Sequence, residues 1–227
     1  MNTLEPKLLK ELNNADYESL MGYRVRRILM ICSNYDTFIL EEDGQIETQI
    51  YREYIDLNLS TPPKFVWVQT SAQAREVLQT TVGIDMIICM YNVGDQEVFN
   101  LASDLKKEGR SIPFVLLTHF SKEVYRRIAG QDTSAIDYMF SWHGNADLIV
   151  AIIKLFEDLK NADNDILEVG VQSILLVEDS VRYYSTYLPE LYKMILKQST
   201  EFLKETLNEQ QRKHMKRSRP KILLATN

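Results

Sequence analysis

Five short runs of apolar residues recur along the first two-thirds of the chain, and each is followed by a stretch with helical spacing. The runs are "RRILMIC" (26–32), "KFVWVQT" (64–70), "DMIICMY" (85–91), "PFVLLTH" (113–119) and "AIDYMFSW" (135–142). Their apolar character is continuous rather than alternating, so both faces of each strand must be covered. A parallel sheet between two layers of helices meets that requirement. The intervening segments supply the helices. Residues 34–59 carry helical patterning, interrupted by Asp43–Gly44 and ended by Pro62–Pro63. The segment from Ser71 to Gly83 opens with Ser71 as N-cap and places Ala72, Ala74, Val77 and Leu78 at helical spacing. Residues 95–109 put Val98, Leu101, Ala102 and Leu105 on one face, with Asp95 as the expected cap. Residues 121–130 form a short helix and residues 145–160 a long apolar one. The pattern predicts an α/β fold with a doubly wound five-stranded parallel sheet in the order 2-1-3-4-5.

Composition removes several function classes. No apolar run approaches the ~18 residues of a membrane span, and the N-terminus lacks a basic start and an apolar signal core, which makes the cytoplasm the expected address. Two cysteines, Cys32 and Cys89, give no disulfide framework; they fall on strands expected to be neighbours, where a redox pair is the minor reading. The net charge is −6 but unevenly spread: residues 1–170 hold 16 Lys/Arg against 26 Asp/Glu, and residues 171–227 hold 10 against 6. An acidic body argues against general nucleic-acid binding. The basic run "QRKHMKRSRPK" (211–221) is expected to be a solvated helix end rather than a nucleic-acid contact.

The opening of the first strand recurs near the end. "RILMICSNYD" (27–36) superposes on "SILLVEDSVRY" (173–183), with Ile28 on Ile174, Cys32 on Glu178 and Ser33 on Asp179. The stretch "ILLVEDS" resembles the first strand of a response-regulator receiver domain, so the fold is expected to be flavodoxin/CheY-like. The resemblance implies an acid pair that holds Mg²⁺, an aspartate ending strand 3 that accepts a phosphoryl group, and a Thr/Ser and a Lys on strands 4 and 5 that read it. Phosphoryl transfer to a carboxylate brings negative oxygens together, which is why a hard cation held by carboxylates is needed.

In residues 24–160 the matching positions depart from that set. Cys32–Ser33 stand at the acid pair, Met90 at the phosphoacceptor and Ser141 at the Lys, while Thr118 keeps the hydroxyl. A thioether cannot take a phosphoryl group. This unit is read as a pseudo-receiver without a cofactor, whose partners are proteins or attached domains. Asp36, Asp95, His119 and His143 near the rim complete no evident ligand set.

The second copy begins at residue 172, after an N-terminal extension (1–23), the first unit (24–160) and an expected linker (161–171). It supplies a strand, a long helix expected over 189–215, and a strand in "RPKILLATN" (219–227). Glu178 and Asp179 are its Mg²⁺ ligands if the domain is completed. Leu191, Ile195, Phe202 and Leu203 lie on an apolar stripe that would serve a homodimer seam. The chain as a whole resembles the N-terminal, receiver-like region of large bacterial phosphoenolpyruvate synthase/pyruvate phosphate dikinase-type proteins, through "YDTFILEEDG", "SKEVYRRIA", "SAIDYMFSWHGNA" and "VGVQSILLVEDSVRYYSTYLPELY". That resemblance implies a regulatory front end without catalysis of its own. The alternatives are a phosphorelay receiver whose acceptor lies beyond residue 227, and a structural dimerisation element.

Overall fold

The computed structural model describes residues 19–33, 46–57, 59, 61–93, 95–119, 122–142, 144, 146–202 and 217–226. Five strands form one parallel sheet: β1 (Arg27–Ile31), β2 (Lys64–Val68), β3 (Met86–Met90), β4 (Phe114–His119) and β5 (Tyr138–Trp142), in the order β2-β1-β3-β4-β5. This is the expected doubly wound, flavodoxin/CheY-like arrangement. β1 lies between β2 and β3, with Ile28 beside Phe65 of β2 on one side and beside Met86 of β3 on the other.

Helices α1 (Ile46–Asp56), α2 (Ser71–Thr80), α3 (Val98–Lys107), α4 (Lys122–Ile128) and α5 (Ala146–Ala162) alternate with the strands. The sheet divides its side chains between two cores. Ile28, Met30, Met86, Ile88, Val115 and Leu117 meet α1 and α5. Leu29, Ile31, Ile87, Cys89 and Leu116 meet α2 and α3. The helices follow their apolar spacing: Ile46, Ile50 and Tyr54 make a single buried stripe on α1.

Two caps differ from the sequence reading. Thr70, not Ser71, is the N-cap of α2, and its hydroxyl accepts from the Gln73 N–H at 3.2 Å. Asp95 does not cap the helix that follows it, which begins at Val98. Its carboxylate accepts instead from the Ser71 N–H (2.7 Å), the Ser71 hydroxyl (2.8 Å) and the Ala72 N–H (3.3 Å), and so caps α2 from across the rim.

The expected linker is helical. α5 runs on to Ala162 and continues as a π-helical turn, Asp163–Glu168. Beyond it, β6 (Ser173–Val177), α6 (Val181–Phe202) and β7 (Lys221–Ala225) form a second β-α-β unit with a parallel two-stranded sheet. α6 starts earlier than expected and carries Pro189 in its interior rather than at its start; residues 203–216 lie outside the described residues.

This second unit packs directly on the first. Leu188, Tyr192, Ile195 and Leu196 of α6, with Ile222 and Leu224 of β7, belong to the same core as α5 and β5. α5 is consequently enclosed on both sides, which is what a helix apolar nearly all round its circumference requires. α6 also covers the outer edge of β5. The Ser141 N–H donates to the Ser185 hydroxyl at 2.9 Å, and the Tyr184 hydroxyl donates to the Met139 carbonyl. A sheet edge with its backbone groups engaged in this way does not recruit another strand.

Candidate functional site

In an open parallel sheet, ligands bind at the carboxyl ends of the strands, and the structure brings the residues expected at a receiver pocket to that rim. Cys32 and Ser33 directly follow β1, Met90 ends β3, Thr118 is the penultimate residue of β4, and Ser141 lies beside it on β5. Cys32, Met90, Thr118 and Ser141 are buried and Ser33 is half-buried. They do not converge on one face. Cys32 and Met90 belong to the α1/α5 core. Thr118 and Ser141, two residues along from Leu116 and Met139, fall on the opposite side of the sheet.

The Ser141 hydroxyl oxygen is a buried polar atom with no hydrogen-bond partner among the described residues. Cys32 and Cys89, on neighbouring strands, also point into different cores, and neither forms a disulfide; side chains on opposite faces of a sheet cannot be bridged.

No group of three or more His, Cys, Asp or Glu side chains placed to hold a metal occurs among the described residues. Asp36 and His143 lie outside those residues, and His119 is exposed at the end of β4. Asp95 is committed to the N-terminus of α2. Partial burial raises its pKa, the hydrogen bonds from Ser71 and Ala72 lower it, and the net is downward.

At the second rim, Glu178 follows β6. Its N–H donates to the Ala225 carbonyl at 3.1 Å, and its carboxylate accepts from the Ser180 N–H at 2.9 Å. Asp179 is exposed. The pair supplies two hard oxygen donors at a strand end, which suits Mg²⁺ only as part of a larger ligand set.

The described part of the expected dimer stripe packs within the chain. Ile195 is buried, and Leu191 packs against the core that Leu188, Tyr192 and Leu196 enter. Leu203 and the side chain of Phe202 lie outside the described residues. An amphipathic helix buries its stripe against the nearest apolar surface, and here that surface is α5 and β5 of the same chain.

The most densely charged site in the interior was not anticipated. Lys154, Glu157, Asp158, Asp165, Arg219 and Lys221 are all buried. Asp158 accepts four hydrogen bonds: from the Arg219 guanidinium at 2.7 and 2.9 Å, the Tyr192 hydroxyl at 2.9 Å and the Ile222 N–H at 3.0 Å. One carboxylate thus ties α5, α6 and β7 together. Arg219 also lies over the Tyr192 ring, 5.5 Å from its centre.

Lys221 pairs with Asp165 at 2.8 Å, and Lys154 with Glu157 at 2.6 Å. Burial pushes both lysines below their usual pKa, although each is held by its carboxylate. For Arg219, burial works downward and Asp158 upward, and the net is upward. The same helix pins the chain entering β1: Asn161 exchanges hydrogen bonds with the Tyr23 backbone at 2.8 and 2.9 Å, and Glu157 accepts from the Val25 N–H at 3.2 Å.

Two cations of the run 211–221, expected as a solvated helix end, are therefore interior ion-pair partners. The available signal was Lys154, Glu157 and Asp158 inside an otherwise apolar helix, because charges there need partners.

No protein-family model and no curated protein sequence matches the chain. Among solved structures it is similar to the phosphorylated cyanobacterial phytochrome response regulator RcpA (17% identity, 59% of this chain and 92% of that chain, TM-score 0.40). It is also similar to the signal receiver domain of an HD domain-containing protein from Pseudomonas fluorescens Pf-5 (14% identity, 63% of this chain and 94% of that chain, TM-score 0.41). A third similar structure is the non-phosphorylated HemR receiver domain from Leptospira biflexa (20% identity, 52% of this chain and 84% of that chain, TM-score 0.33). The fold is assigned by the strand order and register of the sheet rather than by these overlaps. No described helix is long and apolar enough to cross a membrane.

Proposed function

We propose that residues 24–160 are a degenerate receiver, a signalling module that acts through contacts with proteins or attached domains and accepts no phosphoryl group at its rim. The carrying observation is the rim itself. Met90 ends β3 where a phosphoacceptor would stand, Cys32 and Ser33 follow β1 where an acid pair would stand, and Ser141 occupies the lysine position on β5. A carboxylate is needed to form an acyl phosphate, and carboxylates are needed to hold the Mg²⁺ that neutralises it. The module is regulatory rather than enzymatic, and it forms the front of a longer protein of the phosphoenolpyruvate synthase type. Glu178 and Asp179 would contribute to a Mg²⁺ site in a completed second unit, where the cation would screen phosphoryl charge.

Acetyl phosphate with Mg²⁺ tests the reading directly. Residues 1–227 are expected to take no acid-stable, hydroxylamine-sensitive label. A stable Mg²⁺-dependent label mapped to residues 24–160 would overturn it.

A further inference from the structure

We propose that the free edge of β6 receives a third parallel strand, and that the bare face beside it receives the helix leading into that strand, both supplied by polypeptide following β7 in the same protein. The inference deepens the reading above and rests on its statement that these residues front a longer protein.

The ladder between β6 and β7 shows which groups are unused. The Lys221 N–H donates to the Gln172 carbonyl at 2.9 Å, and the Glu178 N–H to the Ala225 carbonyl at 3.1 Å. With Ser173 opposite Lys221, Leu175 opposite Leu223 and Val177 opposite Ala225, the backbone groups of Ile174 and Leu176 face β7. Those of Ser173, Leu175 and Val177 point the other way and meet no partner among the described residues. The outer edge of β7 is different: its Ile222 N–H goes to Asp158 and its Leu224 carbonyl accepts from the Tyr138 hydroxyl at 2.9 Å. One edge of this small sheet is closed and the other is open.

The faces are equally asymmetric. Ile222 and Leu224 turn toward α5 and α6 and are buried, with Leu176 packed beside them. On the other face Leu175 and Val177 remain 65% and 69% exposed.

The chain carries its own template for what completes such a pair. β1-α1-β2 and β6-α6-β7 are the same unit, and Leu29 and Ile31 are the counterparts of Leu175 and Val177. In the first unit both are fully buried, under α2 and α3. The second edge of β1 is taken by β3, which pairs parallel to it. α2 is the crossover from β2 to β3, and it lies on the face opposite α1 because parallel crossovers keep one hand. The same hand applied after β7 carries a helix over Leu175 and Val177 and sets a strand against Ser173, Leu175 and Val177. The open side of β6 is shaped for that crossover: the strand is uncharged, Leu175 and Val177 are apolar on its exposed face, and the acids Glu178 and Asp179 come only past its carboxyl end.

Amide hydrogen exchange at Ser173, Leu175 and Val177 tests it, in residues 1–227 and in the longer natural polypeptide. The three amides are expected to exchange freely in the shorter chain and at least about a hundredfold more slowly in the longer one. Leu175→Asp gives a second readout: residues 1–227 should melt within about 2 °C of the parent because the side chain is exposed, while the longer polypeptide should lose several degrees. Slow exchange already present in residues 1–227, whether or not it depends on concentration, overturns the proposal, since another segment or a second copy would then cover the edge. Fast exchange in the longer polypeptide, or a natural polypeptide that ends at residue 227, overturns it too. None of these outcomes bears on acetyl phosphate labelling of residues 24–160, so the two readings fail separately.

Discussion

Arg219→Met removes the guanidinium from Asp158 while keeping most of the apolar stem. Asp158 is fully buried and would retain only the Tyr192 hydroxyl and the Ile222 N–H out of four donors. Breaking a buried pair from one side leaves a charge in a poorly polarisable interior and costs about 3–5 kcal/mol. That is a large part of the roughly 5–15 kcal/mol that holds a typical domain folded. At about 2–4 °C per kcal/mol for a protein of this size, the melting temperature should fall by roughly 6–20 °C. Urea unfolding should show the same loss as a lower midpoint with an unchanged slope.

The double variant Asp158→Asn/Arg219→Met separates charge from packing. An asparagine oxygen still accepts from Tyr192 and Ile222 without needing a cation, so the double variant should regain most of the loss. A loss below about 1 kcal/mol for Arg219→Met, the level of an exposed pair, would refute the reasoning. A double variant no more stable than the single one would refute it as well, because the loss would then come from packing.

Alkaline pH should destabilise the fold. Burial raises the pKa values of Tyr54, Tyr184 and Tyr192 above their usual 10.0. Above pH 10 the unfolded chain releases protons that the native state keeps, so stability falls by up to about 1.4 kcal/mol per pH unit for each. Lys154 and Lys221, depressed from 10.5, act in the opposite direction only up to that value. Urea midpoints from about pH 9 to about pH 11.5 should turn downward above roughly pH 10.5, and a flat or rising profile there would contradict the assignment. Ser141→Ala removes the buried hydroxyl that lacks a partner among the described residues; unfolding should show stability unchanged or raised by up to about 1 kcal/mol, and a loss larger than that would mean the hydroxyl is bonded. Asp95→Ala removes the cap of α2 supplied across the rim and should cost about 1 kcal/mol by the same measurement, with no loss if the carboxylate is merely solvated.

The strands were legible because a run such as "PFVLLTH" leaves no polar face to turn outward, and β4 occupies Phe114–His119 within it. Their parallel pairing followed from alternation with helices, and the order 2-1-3-4-5 from the doubly wound fold that five such units suit. The rim residues Cys32, Met90, Thr118 and Ser141 were legible as positions, since a strand end is marked where its apolar run stops. Their division between two faces required the register and the pleat. Asp95 was read as a local cap because sequence shows only neighbours; its actual partner, Ser71, is 24 positions away.

The second unit shows the boundary most clearly. Sequence alone determined that residues 172–227 repeat the opening β-α-β of the first unit, because apolar periodicity and strand length are local properties of the chain. It also determined that α6 carries an apolar stripe. What that stripe covers was decided by tertiary structure: an apolar surface has no directional preference, and its described part meets α5 and β5 of the same chain. The same holds for charge. Arg219 and Lys221 sit in a basic run that reads as solvated until Asp158 and Asp165 are brought against them, 61 and 56 positions earlier in the chain. Hydrophobic patterning is written residue by residue. Compensation of a buried charge depends on which segments meet, and only the folded chain decides that.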